Sequence, residues 1–372
     1  MPENHAIWLS SKGSRLVAGP APYTRPAANE IVVCNRAVAI NPLDWLLQSV
    51  GSIIYPWLRY PFILGTDVAG EVVEVGNAVR RFKVGDRVLA HAVGSDKDRN
   101  TPAEGGFQRY TVALEHMVSP IPGAMPFERA AVLPLGLSTA ASALFQRDML
   151  ALRHPDGAQA EVNKTVIVWG GSTSVGCNAI QLAAAAGYRV ITTASARNAA
   201  YLRGLGASLV FDYRVGTVVA DIARAMSGHE LAGALAIGSG AAGACVDIAA
   251  RCQGNRTVIL ATPQIAMDRV VASRGKTLHF VWAMMQFIAA NVGVMLKARL
   301  RRVQAKFVFG SSLKGNEVSK LIYEAFLPNA LAEGRYQAAP EPLVAGHGLE
   351  SIGQALALHQ QGVSARKVVV TL

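Results

Sequence analysis

The stretch VIVWGGSTSVGCNAIQLA holds residues whose types and spacing suit the capture of a phosphate. An apolar run ends at Trp169, Gly170 and Gly171 allow a tight turn, and an alanine-rich segment with Gly176 near its front begins at about Ser174. A strand-to-helix turn of this composition aims the unbonded N–H groups of the first helical turn at an anion, and the positive end of the helix dipole adds to the attraction. Gly171, Ser172, Thr173, Ser174 and Val175 are therefore the expected cradle of a dinucleotide pyrophosphate, with three hydroxyls as further donors. Thr173 stands where the common G-x-G-x-x-G pattern has its middle glycine. The weight of the motif comes from its setting, after a strand, before a helix and among repeats of that unit.

About 20 residues past such glycines, proteins that bind NAD place an acid on the ribose 2′-hydroxyl. The corresponding segment, ITTASAR, has none. Ser195 and Arg197 offer a hydroxyl and a guanidinium to a 2′-phosphate, so NADPH is expected over NADH, and Tyr213 in VFDYR can complete that pocket. The plainer readings are a solvated cation for Arg197 and strand-end packing for Tyr213.

Elements that would position these groups are visible around them. Asn29 to Pro122 is a series of short β-branched runs broken by Gly and Asp, which reads as an all-β domain. From Pro134 onward, apolar strands alternate with alanine-rich helices, the pattern of a parallel sheet covered on both faces. The closing KVVVTL is a strand able to return to the first domain. With 372 residues and 51% of them apolar, the chain exceeds what one core usually serves, and two domains are expected.

Other function classes find less support. The excess of 36 basic over 25 acidic residues gives a formal charge of +11, yet no zinc-finger spacing or aromatic-basic motif turns it into nucleic-acid readout. Cys34, Cys177, Cys245 and Cys252 are too far apart for a disulfide framework or a CxxC knuckle, which fits a reducing, cytoplasmic setting. The opening MPENHAIWLSSKGSR lacks the features of a signal peptide. Phe280 to Leu296 is almost wholly apolar and is followed by Lys297, Arg299, Arg301 and Arg302. Lying between two strand-like runs, it is expected to be a buried or subunit-facing helix in preference to a membrane contact.

Several segments together resemble the medium-chain dehydrogenase/reductase superfamily: AINPLDW (39–45), GTDVAGEVVEVG (65–76), FKVGDRV (82–88), EGGFQRYTV (104–112), AAVLPLGLSTA (130–140), the WGGSTSVG turn and GVSARKVVV (362–370). Within it, the GTDxAG and WGGST segments are most similar to zinc-independent quinone reductases and fungal trans-acting enoyl reductases. The resemblance implies an α/β fold in which a GroES-like β domain (1–135 and 312–372) flanks a Rossmann doubly wound domain (136–311). It places Asn41 near the nicotinamide as the catalytic candidate, with Thr139 facing the same region and Lys367 approaching the cofactor from the last strand.

Zinc-dependent members of that superfamily carry a cysteine in the first segment and a histidine in the second. This chain has Asn41 and Pro42, then Gly65, Thr66 and Asp67, and SDKDRNTPA between Gly94 and Glu104 contains no cysteine, so no metal is expected. The implied reaction is NADPH-dependent reduction of an activated C=C bond in a small hydrophobic substrate of secondary metabolism, with a polyketide synthase as its source and a monomer or homodimer as the working form. One residue departs from the pattern, because Leu46 stands where related enoyl reductases have a lysine. Cyclisation or isomerisation without redox chemistry, and a regulatory protein that merely binds NADPH, therefore stay open. The aromatic segment with Tyr55, Trp57, Tyr60 and Phe62 reads equally as substrate lining or as core.

Overall fold

Glu30–Ala39 is a ten-residue strand whose Ile31, Val32, Val33, Ala37 and Val38 are buried, and the first unit is built around it. In the computed structural model, which describes residues 2–155, 162–262 and 277–372, this unit comprises Met1–Ser138 and Lys314–Leu372. Its main sheet runs in the order Glu341–His347, Arg366–Thr371, Glu30–Ala39, Asp67–Val75, Arg87–His91, Val118–Pro120, with Tyr110–Leu114 also paired to Glu30–Ala39. The last strand of the chain does return here, pairing Val369 with Ala39 and Val370 with Val38. That register brings residues from the two ends of the chain into adjacent positions.

Two local features prepare the site in this unit. Asp67 opens its strand and faces Ala39 on one side and His91 on the other, so a charged residue starts a run whose next three residues, Val68, Ala69 and Gly70, are apolar and buried. The Pro42–Ile54 helix begins at Asn41, which has extended backbone angles, with Pro42 in the first turn where its missing N–H costs nothing. Phe62 is core, Trp57 is half-buried with its indole N–H donating to the Ser95 carbonyl, and Tyr55 and Trp57 pack against each other at 4.8 Å. The segment between Gly94 and Glu104 is tied down by ion pairs, Lys314 to Asp96 at 3.0 Å and Arg99 to Glu30 at 2.5 Å.

The second unit, Thr139–Leu313, is a six-stranded parallel sheet in the order Leu209–Asp212, Tyr188–Ala194, Val162–Trp169, Glu230–Ala236, Thr257–Leu260, Gln304–Phe307. This is the doubly wound order. Strand sequence reverses beside Val162–Trp169, so the turn after Trp169 lies at the switch point where α/β sheets bind ligands. Ile167, Ile191, Leu231, Ala234, Val246 and Val258 form part of the core. All four cysteines are unpaired, and Cys177, Cys245 and Cys252 are buried, as small apolar side chains would be.

The apolar segment near residue 280 does form a helix, Thr277–Leu300, but it is not an interior one. Trp282, Met285, Ile288, Val292, Leu296 and Leu300 are exposed, while Ala298 belongs to the core and Val294 packs on it. The side chain of Phe280 lies outside the described residues. Of the two expectations for this helix, buried or subunit-facing, the structure corrects the first, because its own unit covers only one face.

Candidate active site

The Gly-rich turn after Trp169 is built as its sequence requires. Strand Val162–Trp169 ends at Trp169, Gly170 takes φ +90°, and helix Ser174–Ala185 starts after Thr173. Thr173 is the N-cap: its hydroxyl oxygen accepts from the Gly176 N–H at 3.0 Å and its O–H donates to the Gly170 carbonyl at 2.8 Å. A Cβ on Gly176 would lie 2.3 Å from the Gly170 carbonyl oxygen, so the helix can start this close only with glycine there. The first helical bond that reaches back to the turn is Cys177 N–H to the Thr173 carbonyl, 2.9 Å. Ser172, Ser174 and Val175 are half-buried and Gly171 is buried beneath them. This cradle fits the diphosphate of a dinucleotide.

Ser174→Glu is expected to weaken binding of any dinucleotide by about tenfold, because a carboxylate at the helix start repels phosphate while favouring the helix itself. Fluorescence titration would show the loss with an unchanged circular dichroism spectrum; unchanged titration curves would remove the turn from the site.

Beside this turn, Ser195 is half-buried, Arg197 is exposed on the Ala196–Asn198 turn and Tyr213 is 51% exposed. Asp212 also reaches this place, from the neighbouring strand: it pairs in register with Ala194 and accepts the Ala196 N–H at 3.4 Å. Sequence spacing on one strand missed it because it comes from the next. Its charge is taken up by Arg214, whose Nε and Nη2 lie 3.0 and 2.6 Å from the two carboxylate oxygens, and this fork holds the carboxyl well below the usual carboxylate range.

Inside the first unit a buried polar cluster gathers around Asn41. The Lys367 ammonium, 4% exposed, lies 2.9 Å from the fully buried Asp67 carboxylate and donates to the Asn41 side-chain carbonyl. The Asn41 amide donates to Thr66 Oγ1 at 2.9 Å and to Asp67 Oδ2 at 2.8 Å. The other Asp67 oxygen accepts the Leu135 N–H at 2.6 Å. From the helix start, the Asp44 carboxylate accepts the Asn41 N–H at 2.7 Å. Burial pushes the Asp44 carboxyl up to about 7, the Asn41 N–H and Lys367 pulling against it and Asp67 adding to the rise.

A second buried chain runs from the strand partner of Asp67. Tyr323 donates to the Pro134 carbonyl at 3.1 Å, so Ser138 donates to the Tyr323 oxygen at 2.7 Å and accepts from His91 Nδ1 at 2.9 Å. This order of donors makes Nδ1 the protonated nitrogen of His91. Burial lowers the His91 pKa, with Asp67 and Asp96 opposing, and keeps the ring neutral. Thr139 is buried on the helix Pro134–Phe145.

The structure therefore brings Asn41 and Lys367 together, and adds Thr66, Asp67, Asp44, His91, Ser138 and Tyr323, which sequence reasoning did not single out. The available signal was an aspartate at the head of a buried strand. These residues do not fit zinc. The Asp67 carboxylate a cation would need already pairs with the Lys367 ammonium, and the Asn41 carbonyl oxygen accepts from the same ammonium.

A β unit assembled from both chain ends and a doubly wound sheet with a Gly-rich turn at its switch point together define a two-domain oxidoreductase that takes a nicotinamide cofactor. Comparison with known proteins agrees with that class. Residues 27–123 match the alcohol dehydrogenase GroES-like domain. The chain is 49% identical to dehydrogenase pigH of Monascus ruber over the whole of both chains, and 35% identical to trans-enoyl reductase himH of Aspergillus japonicus over 99% of this chain and 97% of that one. Its fold matches the crystal structure of CurK enoyl reductase with a TM-score of 0.72 at 20% identity, over 100% and 99% of the two chains. The chain belongs to the medium-chain dehydrogenase/reductase superfamily.

Proposed function

We propose that the protein is a zinc-independent, NADPH-dependent reductase of an activated C=C bond, an enone or enoyl thioester, carried on a hydrophobic secondary metabolite. The observation that carries this reading is the Lys367–Asn41–Asp67 cluster. Reduction of a conjugated C=C bond pushes an electron pair onto the carbonyl oxygen, and that charge needs a hydrogen-bond donor or a cation rather than a Lewis acid. Lys367 has three N–H bonds, of which Asn41 and Asp67 take two; we assign the remaining donor to the developing oxygen charge. It supplies the cation missing at Leu46, which is half-buried on the Pro42–Ile54 helix. Bound NADPH would supply the hydride that forms the new C–H bond at the β-carbon, and a proton from water completes the α-carbon. Relatives bearing the name trans-enoyl reductase support the reaction class.

Preference for NADPH rests on Ser195 and Arg197 and on the neutralisation of Asp212 by Arg214. The test is loss of nicotinamide absorbance with quinones, simple enones and enoyl thioesters. Turnover is expected with NADPH ahead of NADH, and Arg197→Ala should cost NADPH binding about 1.5–3 kcal/mol while leaving NADH nearly unchanged. Equal affinity for both cofactors in the unaltered protein would overturn the preference. Conversion of a precursor without cofactor consumption, alongside inactivity on all three classes, would replace reduction by cyclisation or isomerisation.

A further inference from the structure

From the Thr277–Leu300 helix we infer that the protein docks, through the outer face of this helix, on an anionic lipid surface. Trp282, Met285, Ile288, Val292, Leu296 and Leu300 follow one another at intervals of three or four residues, so they form one stripe along the helix. All are exposed, Trp282 at 60% and Leu300 at 85%. Single exposed apolar residues are ordinary, but an uninterrupted stripe of this kind marks a contact surface. Among the described residues this is the one helix long and apolar enough to cross a membrane. It is nevertheless fixed as a surface element. Ala298 is in the core, Val294 packs on it, and the Lys297 ammonium lies 2.6 Å from Asp247 and donates to the Gly243 carbonyl at 3.1 Å. A helix held along one side in this way lies on a bilayer rather than spanning it.

Charge decides the occupant. The helix contains no Asp or Glu, and Arg299 lies one turn beyond the exposed Met295, between Leu296 and Leu300 of the stripe. Arg301 and Arg302 follow at its end; all three arginines are exposed, and no ion pair among the described residues engages them. The same stripe on a second copy of the chain offers these cations no carboxylate. Phosphatidylserine-type headgroups do, at the depth where an apolar stripe enters the acyl boundary. The protein's net charge of +11 acts in the same direction.

The test is co-sedimentation of the full chain with vesicles of phosphatidylcholine alone and of phosphatidylcholine with phosphatidylserine. Apparent affinity is expected to be about tenfold higher for the anionic vesicles and to fall as salt is raised. The double variant Met285→Gln, Val292→Gln should lose binding to both vesicles. The triple variant Arg299→Gln, Arg301→Gln, Arg302→Gln should keep weak binding and lose the preference for phosphatidylserine. Trp282 reports contact directly: a blue shift of emission on adding anionic vesicles should vanish in Trp282→Phe, which separates it from the other four of the five tryptophans. Thermal melting confirms that the variants are folded. Absence of sedimentation with either vesicle overturns the inference, as does equal binding to both. A dimer by light scattering that the Met285→Gln, Val292→Gln pair dissociates assigns the stripe to a second copy instead.

Discussion

Lys367→Met is expected to lower the free energy of unfolding by about 3–5 kcal/mol at neutral pH, since it strips a fully buried carboxylate of its cation. Asp67 would keep the Asn41 amide and the Leu135 N–H, and neither carries a full charge. Asn41 would lose the donor to its carbonyl as well. Adding Asp67→Asn should restore most of the loss, because the penalty belongs to the orphaned charge rather than to the missing contact. Urea denaturation of the two single variants and the double variant measures this directly. A loss below about 1 kcal/mol for Lys367→Met, typical of an exposed pair, would mean that water reaches the cluster. On the proposed mechanism the same variant also loses turnover, and the double variant, although stable again, does not regain it.

The second large effect is a change in how stability responds to pH. Asp44 titrates near 7 in the folded protein against an ordinary value of 3.8, so between about pH 4 and 7 the folded chain holds a proton that the unfolded chain has released. Stability contributed by this group is therefore complete at low pH and declines as pH rises through that window. Asp44→Asn removes the ionisation yet keeps an acceptor for the Asn41 N–H. Relative to the unaltered protein, the variant should gain on the order of 3–4 kcal/mol between pH 4 and pH 8, because each tenfold change in proton affinity on folding is worth about 1.4 kcal/mol. Comparing urea midpoints at several pH values cancels the contributions of all other carboxyls. Parallel curves for the two proteins would show that Asp44 is not held protonated by its surroundings.

What could be read from the chain in advance was local. The turn at Gly170, the helix start at Ser174 and the alternation that builds the parallel sheet depend on neighbours in sequence, and the structure has them where composition and spacing put them. The Asn41 cluster depends on partners far away in sequence. Thr66 and Asp67 come 25 and 26 residues later and are brought in by antiparallel pairing with Glu30–Ala39, whose register bulges twice, so no fixed offset announces them. Asp212 escaped notice for a similar reason, since adjacent parallel strands bring their ends together whatever the length between them. For the helix near residue 280 the buried reading failed in the opposite sense. Hydrophobicity states how readily a segment leaves water and not what receives it, and here one face has no receiver within the described residues.

The placement of Lys367 on the final strand has a consequence in time. It meets Asn41 across 326 positions of chain, and the whole of the parallel-sheet unit is made between them. On the ribosome the interval amounts to tens of seconds, long enough for that unit to fold while Asn41 and Asp67 wait without their cation. The early β segment is thus a guest of solvent until Lys367 emerges, and the polar cluster closes only after the whole parallel-sheet unit has been made. A stop codon placed a few positions before Lys367 would spare the parallel-sheet unit and leave the buried Asp67 carboxylate of the other unit without its cation.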